Sequence, residues 1–188
     1  LFVFIFYIVG YGKEIIMSNL LIAFPEKTEK ERKKIAKQFY RNLIDTFIES
    51  IKFISISKKQ ILKRSTGEFD LINKLAAKGY NIHIMAGHQF NWEYGNLLYV
   101  MNLSVPFVGI YMPISNKILD KVFYNFRKRY GTVLIAAQDF KSKMHHVFLN
   151  QYSLGLAADQ NPGEPRNAYW MNFMGKPAPF VTGPARGA

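Results

Sequence analysis

The apolar positions of this chain change their period part-way along it. Residues Glu14 to Phe24 read as a short helix leading into Pro25. Thr28 and Glu31 form a capping-box pattern that opens a long helix running to about residue 53. On that helix Ile35, Phe39, Leu43, Phe47 and Ile51 recur at i, i+4 and predict one apolar stripe. Lys30, Lys34, Lys37 and Arg41 fall on the other side. Ser57 and Gln60 repeat the capping pattern before a shorter helix. A further helix is predicted over residues 68–78, with Gly79 as the residue that ends it.

From Asn81 the period becomes that of strands alternating with helices. Asn81 to Ala86 alternates polar and apolar residues as a strand does, and Asn91 to Met101 reads as a helix. Val105 to Tyr111, Thr132 to Ala136 and Ser153 to Ala158 are three more strands. Helices over Lys117 to Tyr130, closed by Gly131, and over Phe140 to Gln151 separate them. Ile118, Val122, Phe123, Phe126 and Tyr130 are the positions expected to face inward on the first of these helices. Tyr169 to Met174 is a candidate fifth strand. Strand–helix alternation of this length predicts an α/β domain with a mixed, mostly parallel central sheet flanked by helices. No repeat, low-complexity tract or linker interrupts it, so one domain over residues 1–188 is the expected organisation.

Composition sharpens this picture only in part. Apolar residues make up 49% and charged residues 20%, which excludes a disordered chain. Cysteine is absent, which removes disulfides and thiolate metal sites from consideration. The formal net charge of +12 favours anionic partners: nucleic acid, anionic headgroups or an acidic protein. The cations are spread along several helices and mixed with Glu, which argues against a nucleic-acid surface. The opening LFVFIFYIV holds nine apolar residues, against the roughly 20 that a bilayer requires. Residues 1–12 are therefore expected to be the remnant of an N-terminal membrane-anchoring segment, and the chain is expected to be truncated at both ends.

The candidate chemistry lies in GHQFNWE. His88 stands in the turn after a strand, and Glu93 follows five positions later at the start of a helix. Five residues along one continuous helix turn by about 500°, leaving the pair about 140° apart. They meet only if His88 folds back over the helix start. There Glu93 would hold one ring nitrogen and leave the other to take a proton. A turn histidine beside a surface carboxylate is the plainer alternative. Asp159 ends the fourth strand, where ligand crevices of parallel sheets lie, and could orient a group in the site. It could equally cap a loop beside Pro162 and Gly163. His83 reads as structural, and the adjacent His145 and His146 face different ways, so no metal site is expected.

Four segments, in order and spacing, resemble one family. They are VGYGKEIIMSNLLIAFPEKTEKERKKIAKQFYRNLIDTFIE, then GHQFNWE, then PFVGIYMPISNKILDKVFYNFRKRYG, then ADQNPGEPRNAYWMNFMGKPAPFVTGPARGA. Together they resemble the bacterial lipid A biosynthesis acyltransferases, the lauroyl/myristoyl transferases related to the lysophospholipid acyltransferases. The resemblance implies a glycerolipid acyltransferase-like α/β fold at the cytoplasmic face of the inner membrane. It implies transfer of a fatty acyl chain from an acyl carrier protein or CoA thioester to a hydroxyl of a lipid A precursor. No cofactor is implied, because the thioester is a substrate. The implied partners are acyl carrier protein, an anionic glycolipid acceptor and the inner membrane surface.

By motif, the resemblance makes His88 the base and Glu93 its partner, with Asn91 and Trp92 completing the block. Tyr111 and Pro113 belong to the third segment, continued by Asn116, Asp120 and Arg127. Asp159 and Gln160 open the last block, and Thr182 and Gly183 follow. These secondary positions are expected to shape or line the substrate site. Two departures stand out. Met112 occupies the place where the family often has Arg, and Gln89–Phe90 follows His88 where Phe-Gly is common. Three other readings remain compatible with the residues: another lysolipid, aminolipid or glycolipid acceptor, a basic membrane- or anion-binding domain without catalysis, and a hydrolase that activates water.

Overall fold

The computed structural model describes residues 12–89 and 91–186. The expected anchor remnant lies outside them except for Gly12. The chain forms two compact units: residues up to 52 together with 170–179, and residues 53–169 together with the chain from 180 onward. No helix among the described residues is long and apolar enough to cross a membrane.

The first unit contains α1 (Lys13–Ala23) and α2 (Glu29–Lys52). The capping box is formed as expected: the Thr28 N–H donates to Glu31 Oε2 at 2.8 Å and the Glu31 N–H to Thr28 Oγ1 at 3.3 Å. The buried residues of α2 are Ala36, Tyr40 and Ile44. Ala36 and Tyr40 pack on Ile16, Met17 and Leu20 of α1. This corrects the predicted stripe: Phe39, Phe47 and Ile51 are 47%, 63% and 70% exposed. Each i, i+4 step overshoots a full turn by about 40°, so Ile35 and Ile51 lie about 160° apart and share no face. The expected fifth strand is β5 (Tyr169–Phe173), which among the described residues pairs with β6 (Lys176–Phe180) in a separate two-stranded sheet. Met174 and Gly175 connect the two with φ of 51° and 76°, the geometry of a two-residue type I′ hairpin turn.

The second unit holds α3 (Lys58–Arg64), α4 (Asp70–Ala77), β1 (Ile82–Ala86), α5 (Trp92–Asn102), β2 (Phe107–Tyr111), α6 (Lys117–Lys128), β3 (Val133–Ala136), α7 (Phe140–Val147), β4 (Ser153–Ala157) and the short α8 (Gly183–Arg186). Its four strands form one sheet, in order β1-β4-β2-β3, and every pair is parallel. The predicted α/β class with helices flanking a parallel sheet is the observed one. α4 ends as Gly79 predicts. Gly79 has φ 88°, and the amides of Gly79 and Tyr80 return to the carbonyls of Ala76 and Leu75.

Strand alternation splits the core in two. Val108, Ile135 and Leu154 pack with Met144 of α7 and Tyr152. A second cluster joins Phe53, Ile56 and Ile61 to Tyr94, Leu97 and Leu98 of α5 and Phe126 of α6. Phe53 stacks on Phe126 at 4.9 Å and meets Tyr94 edge-on at 4.5 Å. Of the inward set expected on α6, Phe126 is buried, whereas Ile118 is 77% exposed. α6 enters the core through its C-terminal half only.

One glycine holds this packing open. A Cβ on Gly155 would lie 2.7 Å from Cζ of the buried Phe107 ring, which itself stacks on Tyr99 at 5.1 Å. We expect Gly155→Ala to cost about 1–3 kcal/mol in denaturant unfolding, because the ring is held from behind. An unchanged midpoint would show that Phe107 has room to move.

Candidate active site

Sheet register builds the site. Ala86 and Ala157, the last residues of β1 and β4, are directly paired, and the Ala158 N–H donates to the Ala86 carbonyl at 3.2 Å. Two residues past each strand end stand His88 and Asp159. His88 Nδ1 lies 2.7 Å from Asp159 Oδ1, and the His88 backbone N–H donates to Oδ2 at 2.6 Å. One carboxylate thus holds both the ring and the turn that carries it. Gly87 permits this approach, since a Cβ there would lie 3.0 Å from Asp159 Oδ2.

Burial pushes the Asp159 carboxyl up, the largest single influence. The hydrogen bonds from the His88 ring and backbone, with a further backbone bond and the His88 charge, together hold the group below its ordinary value of 3.8. The group is therefore an ionised acceptor at neutral pH. With an ionised carboxylate as acceptor, Nδ1 carries the proton between them, so the neutral form of the ring has its lone pair on Nε2. The Trp92 ring meets the imidazole edge-on at 4.8 Å. The His88 and Asp159 side chains are 27% and 38% exposed, so the ring is reachable from solvent.

Glu93 is placed differently from the sequence expectation. Arg127 takes its carboxylate instead: Nε donates to Oε1 and to Oε2, each at 3.0 Å, and Nη2 also donates to Oε1. The Glu93 side chain is 3% exposed and that of Arg127 17%. Glu93 projects from the first turn of α5, where the helix end favours a negative charge. Arg127 reaches it from α6 and also lies over the Phe123 ring at 5.4 Å. Asn91 is buried and caps α5, accepting from the Glu93 N–H at 3.3 Å. Asn96 Nδ2 donates to the Arg127 carbonyl at 3.1 Å. The expected His88–Glu93 dyad is thus two pairs, His88–Asp159 and Glu93–Arg127, carried side by side by one turn and one helix start.

The remaining expected positions divide by role. Asn116 caps α6, accepting from the N–H groups of Ile118 and Leu119 at 3.0 and 3.1 Å. Asp120 accepts from the Ile114 N–H at 2.8 Å and fixes the loop after β2. Both fully explain their residue type by local structure. Tyr111 ends β2 6.0 Å from the Tyr124 ring; burial first, then the Asp120 charge, raises its phenol above the ordinary value. Gln160 lies in the exposed loop after Asp159. Thr182 and Gly183 sit at the start of α8 and, among the described residues, form no hydrogen bond with His88 or Asp159. His83 Nε2 faces the Tyr152 hydroxyl at 3.5 Å, a structural contact. An open cleft of about 490 Å³ borders the His88 turn, lined among others by Arg64, Ser65, Thr66, Gly87, Gln89 and Trp92. Arg64 to Thr66 were not singled out from sequence. A cation followed by two hydroxyl residues at a helix end was the available signal.

A part-exposed histidine with one nitrogen held by a carboxylate has the geometry that a general base requires. That geometry serves any reaction that removes a proton from a hydroxyl. The family decides among these reactions. Residues 3–188 match the family model for bacterial lipid A biosynthesis acyltransferase. The chain belongs to that family. It is an acyltransferase of lipid A biosynthesis, with an acyl donor and a lipid acceptor as its substrates. A comparison with curated proteins gave no match. Membership removes the non-catalytic binding domain from the readings left open by composition.

Two measurements check the pairs in this acyltransferase. Removing either partner of the Glu93–Arg127 pair leaves a charge buried alone. Glu93→Ala and Arg127→Ala should each cost about 3 kcal/mol in unfolding free energy, and the double variant clearly less than their sum. Additive costs would show that the two groups act independently. Asp159 should stay ionised at pH 3.8, where an ordinary Asp is half protonated. Its bonds to His88 then persist above the ordinary range and are lost only as pH falls through the lowered value. A carboxyl 13C titration midpoint at or above 3.8 would contradict this.

Proposed function

We propose that this acyltransferase moves a fatty acyl chain from an acyl carrier protein or CoA thioester to a hydroxyl of a lipid A precursor, with His88 as the general base. The contact between His88 Nδ1 and Asp159 carries the reading. Nε2 takes the proton of the acceptor hydroxyl as its oxygen attacks the thioester carbonyl. The tetrahedral intermediate collapses with cleavage of the C–S bond. The imidazolium returns its proton to the departing thiolate. No protein nucleophile is needed, and the acyl group passes directly to the acceptor.

In this scheme Asp159 orients the ring and stabilises the imidazolium. Glu93 is a positioning residue, acting through Arg127 on the start of α5. Trp92 confines the imidazole from one side. The net charge of +12 supports an acidic carrier and an anionic glycolipid as partners. The exposed Phe47, Ile48 and Ile51 of α2 support work at the cytoplasmic face of the inner membrane.

The test is acyl transfer by the full-length parent protein, read as lipid mass after incubation with acyl thioesters and a lipid A precursor. His88→Ala should lower the rate by about 10³-fold and Asp159→Asn by about 10²-fold. Transfer that survives His88→Ala would remove the base from this mechanism. Thioester loss without an acylated lipid would point to hydrolysis. Transfer to a lysophospholipid but not to the lipid A precursor would replace the acceptor.

A further inference from the structure

We infer that the cleft beside the His88 turn is a phosphate site, with Arg64 as its cation, and that it anchors a phosphate-bearing substrate on the approach to the base. The inference rests on the thioester-to-hydroxyl reading above and names the group by which one of its two substrates is held. Arg64 is the last residue of α3, is exposed, and makes no ion pair or hydrogen bond among the described residues. Among the described residues it is the only charged one of the lining. Ser65, Thr66 and Gln89 line the same cleft and bring two hydroxyls and an amide to it. A lone guanidinium among neutral donors suits an oxyanion with several acceptor oxygens.

The amino end of α5, Asn91 and Trp92, lines the same cleft, and its dipole also favours an anion. Glu93 would oppose an anion there, but its carboxylate is turned to Arg127. Gly87 and Gln89, the chain neighbours of His88, line the same cleft. A substrate held by its phosphate at Arg64 therefore lies along the turn that carries the base. A volume of about 490 Å³ has room for a phosphate together with the chain attached to it. Two substrates carry this group: the pantetheine arm of the thioester donor, and a phosphorylated lipid acceptor. Arg64 as a mere complement to the α3 dipole is the rival account, and it predicts no effect on either substrate.

The experiment compares wild type, Arg64→Ala and Arg64→Lys in the full-length protein. Donors are acyl-CoA and the matching acyl-N-acetylcysteamine thioester, which has no phosphate. Acceptors are the lipid before and after phosphatase treatment. Arg64→Ala should raise KM for one phosphate-bearing substrate about 10- to 100-fold, with kcat changed by less than about threefold. Arg64→Lys should recover part of the loss. The penalty should shrink to under about threefold for the counterpart without phosphate. A penalty confined to the donor pair assigns the pantetheine phosphate, and one confined to the acceptor pair assigns the lipid phosphate. Equal KM values for wild type and Arg64→Ala, or an equal penalty with and without phosphate, overturn the site. The 31P line of inorganic phosphate gives a readout that needs no turnover. Broadening by wild type and not by Arg64→Ala keeps the site even if transfer to this acceptor fails. No broadening by wild type, or broadening that survives in Arg64→Ala, overturns it.

Discussion

The parallel pairing of β1 with β4 is the constraint on which the rest depends. His88 and Asp159 are 71 residues apart in sequence and meet only because Ala86 and Ala157 are register partners. A slip of one residue would turn every side chain of one strand to the opposite face and carry Asp159 away from the imidazole. The register is held by what lies beneath the site. Leu154 and Val108 are paired across β4 and β2 and buried with Ile135 against Met144. Gly155 lets Phe107 lie close over the sheet from the other side. The position of the His88 ring beyond the strand ends is therefore set by packing several residues away, in the core beneath the sheet.

The second constraint is the buried pair of Glu93 and Arg127. Two charges at 3% and 17% exposure gain little net stability from each other, because desolvation offsets their attraction. Their effect is on geometry. The fork fixes α6 against the first turn of α5, and that helix begins four residues after His88. Asn91 caps the same helix start, while Asp159 holds the backbone N–H of His88 before it. A carboxylate at position 93 is thus required by the helix and by Arg127 even though it does not touch the imidazole.

Most of the local structure was legible in the sequence. The capping boxes at Thr28 and Ser57, the glycine stop at Gly79 and the four sheet strands depend on short-range chemistry and appear where their residues predict. Spacing along the chain also marked His88 and Glu93, but it carries no information about which distant groups arrive beside them. The order β1-β4-β2-β3 places the last strand of the sheet next to the first, and no local pattern encodes that crossover. Proximity in sequence suggested Glu93 for a role that proximity in space gives to Asp159. Helix faces failed for a simpler reason: an i, i+4 series winds around a long helix, and the stripe drawn through Ile35 and Ile51 crosses from the buried side to the exposed one.

The openness of the site bears on how an acyl transfer there avoids hydrolysis. The His88 and Asp159 side chains are 27% and 38% exposed, so water as well as a substrate hydroxyl has access to the imidazole. A base acting on any nearby oxygen would discharge a thioester to the free acid. Under the proposed reaction the discrimination falls to the substrates, which must cover the imidazole before it acts. The apolar groups for that are placed at the carboxyl ends of the strands. Trp92 lies against the imidazole at 45% exposure, and Met112, directly after β2, is 72% exposed. Each has apolar surface that an acyl chain or lipid would bury, and burial of that surface and exclusion of water are one event. The half-exposed imidazole and the exposed apolar side chains are then two aspects of one arrangement, in which the bound lipid supplies the dry wall that the protein leaves open.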